Sequence, residues 1–110
     1  MKEADIVAAI KAALTKRGAW VIKTHGSPHL AGVPDLLACY RSRFIALEVK
    51  QPKTRDNVSL RQQKFLDHIK VAEGIAVVVW DVDMAINILD YIDETLACCD
   101  YRTGSIVSQV

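Results

Sequence analysis

Long apolar runs, paired cysteines and a large excess of either charge are all missing from this 110-residue chain. No stretch approaches the ~20 consecutive apolar residues of a membrane-spanning helix. The opening segment, MKEADIVAAIKAALTKRG, carries Glu3, Asp5 and Lys11 and has no unbroken apolar stretch of the kind a secretory signal needs. A cytoplasmic protein without a membrane partner is therefore expected. Cysteine is scarce: Cys39, Cys98 and Cys99 are odd in number, two are adjacent, and none belongs to a C-x-x-C pair. That argues against a disulfide framework or a thiolate metal site and leaves ordinary reduced thiols. Cys39 either alternates with polar positions of its strand or packs in the core. No internal repeat, low-complexity segment or linker divides the chain, so residues 1–110 read as one domain.

What is present is the balance of an ordinary globular protein: 51% hydrophobic and 25% charged residues, with a net charge of +1. The charge is unevenly placed. Between Arg41 and Lys64 there are seven basic and two acidic residues; from Phe65 onward there are two basic and eight acidic ones. A basic segment of this kind suits either a solvated loop or a polyanionic partner.

Periodicity outlines the elements. Ile6, Val7, Ile10, Ala13 and Leu14 share one face of a helix over residues 2–17, which Gly18 closes. Residues 19–24 form a short β-rich run, and residues 25–32, with Gly, Ser, Pro and His, a loop. Residues 35–40 and 44–50 read as two strands, and QPKTRDNV (residues 51–58) as a polar loop. A second amphipathic helix spans residues 59–73. IAVVVW (residues 75–80) is continuous enough for a strand covered on both faces. Asp83 is placed to cap a third helix over residues 84–96, with Ala85, Leu89, Ile92 and Leu96 inward. SIVSQV at the end has the composition of a last edge strand. Trp20, Tyr40 and Trp80 read as packing residues. The order α-β-β-β-α-β-α, with a helix between the third and fourth strands, permits a crossover. It predicts an α/β fold with a mixed sheet flanked by helices.

The two central strands carry charge where charge is costly. A turn centred on Arg41-Ser42 sets Asp35 directly across from Glu48, with Cβ atoms about 4.5–5.5 Å apart, a destabilising placement for like charges. A loop one residue longer would make them diagonal neighbours. Glu48 and Lys50 share a face, while Leu47 and Val49 point into the core. Two carboxylates and an ammonium thus converge. A cross-strand ion pair on a solvated face is one explanation. A divalent cation is another: Mg²⁺ takes a few carboxylates, waters and phosphate oxygens, and can activate water and stabilise charge on a phosphate.

Pro34-Asp35 followed by Glu48-Val49-Lys50 resembles the PD-(D/E)xK nuclease motif. The fuller pattern is similar to the VRR-NUC family of that superfamily: G-V-P-D-L at Gly32–Leu36, E-V-K at Glu48–Lys50, then a helix with Gln62 and an aromatic residue, Phe65, three positions on. The family often has Trp at this last position. The resemblance covers nearly the whole chain. It implies a restriction-endonuclease-like core and Mg²⁺- or Mn²⁺-dependent hydrolysis of DNA phosphodiester bonds, with no organic cofactor. Asp35 and Glu48 match the metal ligands, Lys50 the catalytic lysine, and the Val49 carbonyl a further ligand. Free-standing members of the family, often from phages and bacteria, resemble Holliday-junction resolvases and act as homodimers. Branched DNA is accordingly the expected substrate.

Glu3, on the apolar face of the first helix, fits the glutamate that the family often places there near the metal. An acid stabilised by the positive end of a helix is the other explanation; Asp5 lies on the other side. Gln62 shares the inward face of Phe65, Leu66 and Ile69, and fits the family's active-site glutamine. It also completes a capping box with Ser59. Lys23, Lys53, Arg55, Arg61 and Lys64 suit contacts to DNA phosphates. His25 and His29 flank the loop before the motif. The competing function is a DNA-binding or assembly module with the same fold and no cutting activity. A sequence-specific restriction-type enzyme is a third reading.

Overall fold

The structure, a computed structural model, describes residues 1–24 and 31–107, with side chains through residue 97. His25 and His29 lie outside the described residues.

Apolar residues three and four apart give α1 (Glu3–Lys16) a buried face of Ile6, Val7, Ile10 and Leu14. At its start the Lys2 N–H donates to Asp5 Oδ2 (3.2 Å). At its end Gly18 takes φ +97°, a left-handed turn that costs other residues roughly 1–2 kcal/mol. The chain then enters β1 (Trp20–Lys23) and returns through β2 (Leu36–Tyr40) and β3 (Arg43–Val49), each antiparallel to the last. A 3₁₀ turn (Pro52–Thr54) leads to α2 (Leu60–Val71), which crosses over to β4 (Ile75–Val79), parallel to β3. The sheet order is β1-β2-β3-β4. This is the expected α/β order with a mixed sheet.

The sheet is covered unequally. On one face α1 and α3 (Val82–Val107) bury Leu36, Ala38, Ile45, Leu47, Val49 and Val79. On the other, α2 covers chiefly β3 and β4, through Leu66 against Ala46 and Ala76, with Leu37 of β2 partly buried at the margin. The central strand β3 is thus apolar on both faces, and residues Ile45 through Val49 are all buried. The β1–β2 half of the second face carries no helix. Trp20, expected to pack, is 64% exposed there, and Phe44 is 46% exposed. Cys39 alternates outward and is exposed.

The β2–β3 turn is the two-residue one. Leu36 pairs with Leu47 and Tyr40 with Arg43, so Asp35 faces Glu48 in the same register. Arg41 (φ 48°) and Ser42 (φ 72°) both take left-handed backbone, as a type I′ turn requires. Neither is the glycine or asparagine that such a turn favours. Ser42→Gly is expected to stabilise the fold by about 1 kcal/mol. Urea unfolding would show a raised midpoint with unchanged slope; an unchanged or lower midpoint would contradict the strain.

Two expectations about α3 are corrected. Its cap is Asp81, not Asp83: Asp81 Oδ1 accepts the Met84 N–H at 2.8 Å. The helix therefore opens two residues earlier than expected, at Val82. It also runs through Val107, so Ser105, Ile106 and Val107 are helical rather than strand. Residues 108–110 lie outside the described part. Ala85, Leu89 and Ile92 are buried as expected. Among the described residues no helix is long and apolar enough to cross a membrane.

The hairpin end of the sheet is tied to α3 by a polar network. Asp93 accepts from the Tyr40 hydroxyl (2.8 Å), Arg41 Nη1 (2.9 Å) and Arg17 Nη2 (3.1 Å), and Arg17 also reaches Asp90 (2.9 Å). Arg41 and Tyr40, by hydrogen bonding, hold the Asp93 carboxyl below its ordinary range. Tyr40 is therefore more than a packing residue.

Candidate active site

The opposite end of the same hairpin gathers the charged residues. Thr24, just past β1, fixes the backbone there: its N–H donates to the Asp35 carbonyl (2.9 Å) and its hydroxyl to the Pro34 carbonyl (2.8 Å). The Asp35 carboxylate turns toward β3 and accepts the Val49 N–H through Oδ2 at 2.8 Å. Pro34 stands across the strand from this bond. The register that pairs Leu36 with Leu47 puts Pro34 opposite Val49. Lys50 N–H donates to Val79 on the β4 side (3.0 Å), so the polar groups of Val49 face β2. Proline has no N–H to return to the Val49 carbonyl. That buried carbonyl therefore meets no ladder donor from its opposed residue, beside the two carboxylates.

Glu48 is the buried member of the group, its side chain 3% exposed under α2. Burial, then the Asp35 charge and a shared hydrogen bond with Asp35, push its carboxyl from 4.5 up to about 8; Lys50 opposes the shift. Lys50 Nζ stands 3.7 Å from Glu48 Oε2, with its side chain 11% exposed. One carboxyl of the pair thus keeps a proton at neutral pH unless further positive charge arrives.

Gln62 joins these groups and fills both of its expected roles. Its Oε1 accepts the Ser59 N–H (2.9 Å), and its own N–H donates to Ser59 Oγ (3.1 Å), completing the capping box. The same Oε1 accepts from Lys50 Nζ (3.2 Å), while Nε2 donates to Glu48 Oε2 (3.1 Å). The amide orientation is settled by its neighbours: reversed, the NH₂ would face an ammonium and an N–H, and the carbonyl a carboxylate. The start of α2 thereby holds both Glu48 and Lys50. Gln63, offset as expected, bonds Asp67 (2.9 Å).

Gly32 brings the G-V-P-D-L segment against that helix. It has φ +92°, and a Cβ there would stand 2.9 Å from Arg61 Cβ and 3.0 Å from the Arg61 carbonyl carbon. Only glycine permits both the turn and the approach.

The other expected residues are less closely gathered. Glu3 is exposed in the first turn of α1 and acts on Glu48 only as a weak additional negative charge. Among the described residues no three His, Cys, Asp or Glu side chains form a metal-binding group. The donor set is two carboxylates and a carbonyl. It suits Mg²⁺ or Mn²⁺, which keep waters and bind substrate oxygens, better than a metal requiring an all-protein cage. Lys23, Lys53, Arg55, Arg61 and Lys64 are all exposed. Lys23 ends β1, opposite Leu36; Lys53 and Arg55 follow β3; Arg61 and Lys64 lie on α2. Arg55 is partly committed, with its guanidinium 5.6 Å from the centre of the Trp80 ring.

The claim of Asp35 on the Val49 N–H and the dual engagement of Gln62 were not readable as contacts. The only sequence signal, for Gln62, was the coincidence of a capping box with an inward face. Against models of known protein families and against curated proteins, the chain shows no match.

Proposed function

We propose that this protein is a divalent-metal-dependent DNA endonuclease with a restriction-endonuclease-like core, selective for branched DNA such as a four-way junction. One observation carries the reading: Asp35 and Glu48 converge with Lys50 at a sheet end, and Glu48 is buried there beside a like charge. A structural ion pair needs one acid and one base. A second carboxylate only adds repulsion and desolvation cost unless something positive completes the group.

Asp35, Glu48 and the Val49 carbonyl would hold Mg²⁺ or Mn²⁺, which when bound supplies Lewis acidity and charge neutralisation at the scissile phosphate. The rest falls to the side chains. Lys50 sets a positive charge beside the phosphate, where negative charge grows in the transition state. Gln62 holds that ammonium in place and keeps Glu48 Oε2 occupied, which aims the remaining carboxylate oxygen. Lys23, Lys53, Arg55, Arg61 and Lys64 would position the DNA by its phosphates. A symmetric homodimer would supply two such centres, as paired nicking of a junction needs.

The test is a cleavage panel of labelled linear duplex, single strand, flap and four-way junction, each with Mg²⁺, Mn²⁺ or EDTA. Cutting is expected only with metal, and best on a branched substrate. DNA that is bound but uncut under every condition would replace this reading with the binding-module one.

A further inference from the structure

A second concavity lies on the α1 side of the same sheet end. It measures about 240 Å³ and is walled by Met1, Ile6, Pro52, Trp80 and Val82, with Asp81 at its polar edge. Its walls are tied to the residues around Lys50. Trp80 follows Val79, whose carbonyl accepts the Lys50 N–H, and Gln51 Nε2 donates to the Met1 carbonyl at 2.8 Å. Pro52 is two residues beyond Lys50. The cavity thus lies within a few residues of Lys50 along the chain and across the β3–β4 ladder.

We propose that the cavity receives one unpaired nucleobase of the DNA, stacked on Trp80 with Arg55 beside it. This rests on the nuclease reading only in taking DNA as the substrate. The volume accommodates one flat ring system. The lining is apolar and includes Trp80, whose indole is a large stacking partner for a base. Arg55 supplies the cation: its guanidinium sits 5.6 Å from the Trp80 ring centre and is held by the Pro52 carbonyl at 3.5 Å. An aromatic platform with a planar cation is the arrangement that binds single-stranded nucleic acid without reading its sequence. Substrates with an unpaired or unstacked base beside the cut, such as junctions and flaps, would fill it; a regular duplex would not. Discrimination between branched and linear DNA would then reside in Trp80 rather than in the metal centre.

The chain has two tryptophans, so Trp20→Phe leaves Trp80 as the only indole reporter. This variant is titrated in EDTA, where no cutting intervenes, with a duplex carrying one bulged adenine. The control is the same duplex with an abasic site at that position. Quenching of Trp80 emission by the bulged base, and binding about ten-fold tighter than to the abasic control, are expected. Trp80→Leu and Arg55→Ala, followed by anisotropy of labelled DNA, should shrink the difference between the two duplexes. Arg55 is exposed, so its replacement keeps the test valid if Trp80→Leu folds poorly. Equal affinity and equal emission for the two duplexes would overturn the proposal while leaving metal-dependent cleavage untouched. Failure of the cleavage panel with base-dependent quenching intact would instead remove the nuclease reading alone.

Discussion

Asp35→Ala is expected to lower metal-dependent cleavage by ~10³-fold or more, an effect on the scale of losing a principal charge-stabilising group. It should also cost stability. The buried Val49 N–H loses its 2.8 Å bond to Oδ2, and a buried donor left unpaired costs about 1–3 kcal/mol. Asp35→Asn separates the two effects. The amide oxygen can still accept from Val49, and the repulsion of Glu48 is gone, so the variant should be at least as stable as the parent yet equally inactive. Cleavage rates and urea midpoints of the three proteins decide the matter. An active Asp35→Asn variant would remove Asp35 from the metal centre and leave it a purely structural acceptor.

Glu48 gives the second large effect, through proton linkage. Its carboxyl is pushed up to about 8 by burial and then by Asp35, so the folded protein holds a proton that the unfolded chain releases near 4.5. Wherever the folded state binds more protons, stability falls as pH rises. The contribution is fully present below about pH 4.5 and is lost progressively as pH rises through about 8. In EDTA the parent should therefore weaken across that window, by an amount on the order of a few kcal/mol. Glu48→Gln, which carries no charge, should not weaken. It should match the parent near pH 5, exceed it at pH 8 and have no cleavage activity. Mg²⁺ or Mn²⁺ should restore the parent at pH 8 by binding only the folded state, and should do nothing for Glu48→Gln. Denaturant titrations at several pH values measure all of this. A parent whose stability is flat between pH 5 and 8 without metal would show that Glu48 is ionised at no cost, and the argument for a cation would fall with it.

Asp93 moves stability in another range. Its carboxyl is lowered by Arg41 and Tyr40, so its contribution is present above about 3.8 and lost as pH falls further. The two windows do not overlap, which leaves the fall between pH 4.5 and 8 assignable to Glu48.

The sequence by itself determined what depends on short spacing. Helical periodicity placed α1 and α2, and a short turn near Arg41-Ser42 narrowed the β2–β3 register to two choices, because an antiparallel hairpin aligns its strands from the turn outward; the folded chain takes the two-residue turn. Asp35, Glu48 and Lys50 could thus be brought together on paper, and the Ser59–Gln62 box lies within one helical turn. Locality was a weaker guide where two residues offered the same chemistry: Asp83 was expected to cap α3, but the Asp81 carboxylate takes the Met84 N–H instead. The tail composition SIVSQV suited a strand, but Ser105, Ile106 and Val107 continue α3 instead.

Only the tertiary structure decided how deeply the site is buried and who holds whom. The crossover lays α2 over β3, which buries Glu48 and brings Gln62 onto both Glu48 and Lys50. The same docking forces glycine at position 32 against Arg61. Arg17 meets Asp90 and Asp93 from more than seventy residues away, and Trp80 meets Arg55 where β4 ends beside β3. Desolvation and long-range contact belong to the packed chain. Residue spacing names the groups that can meet, while the low dielectric and fixed distances that change their chemistry arise only when the layers close over them.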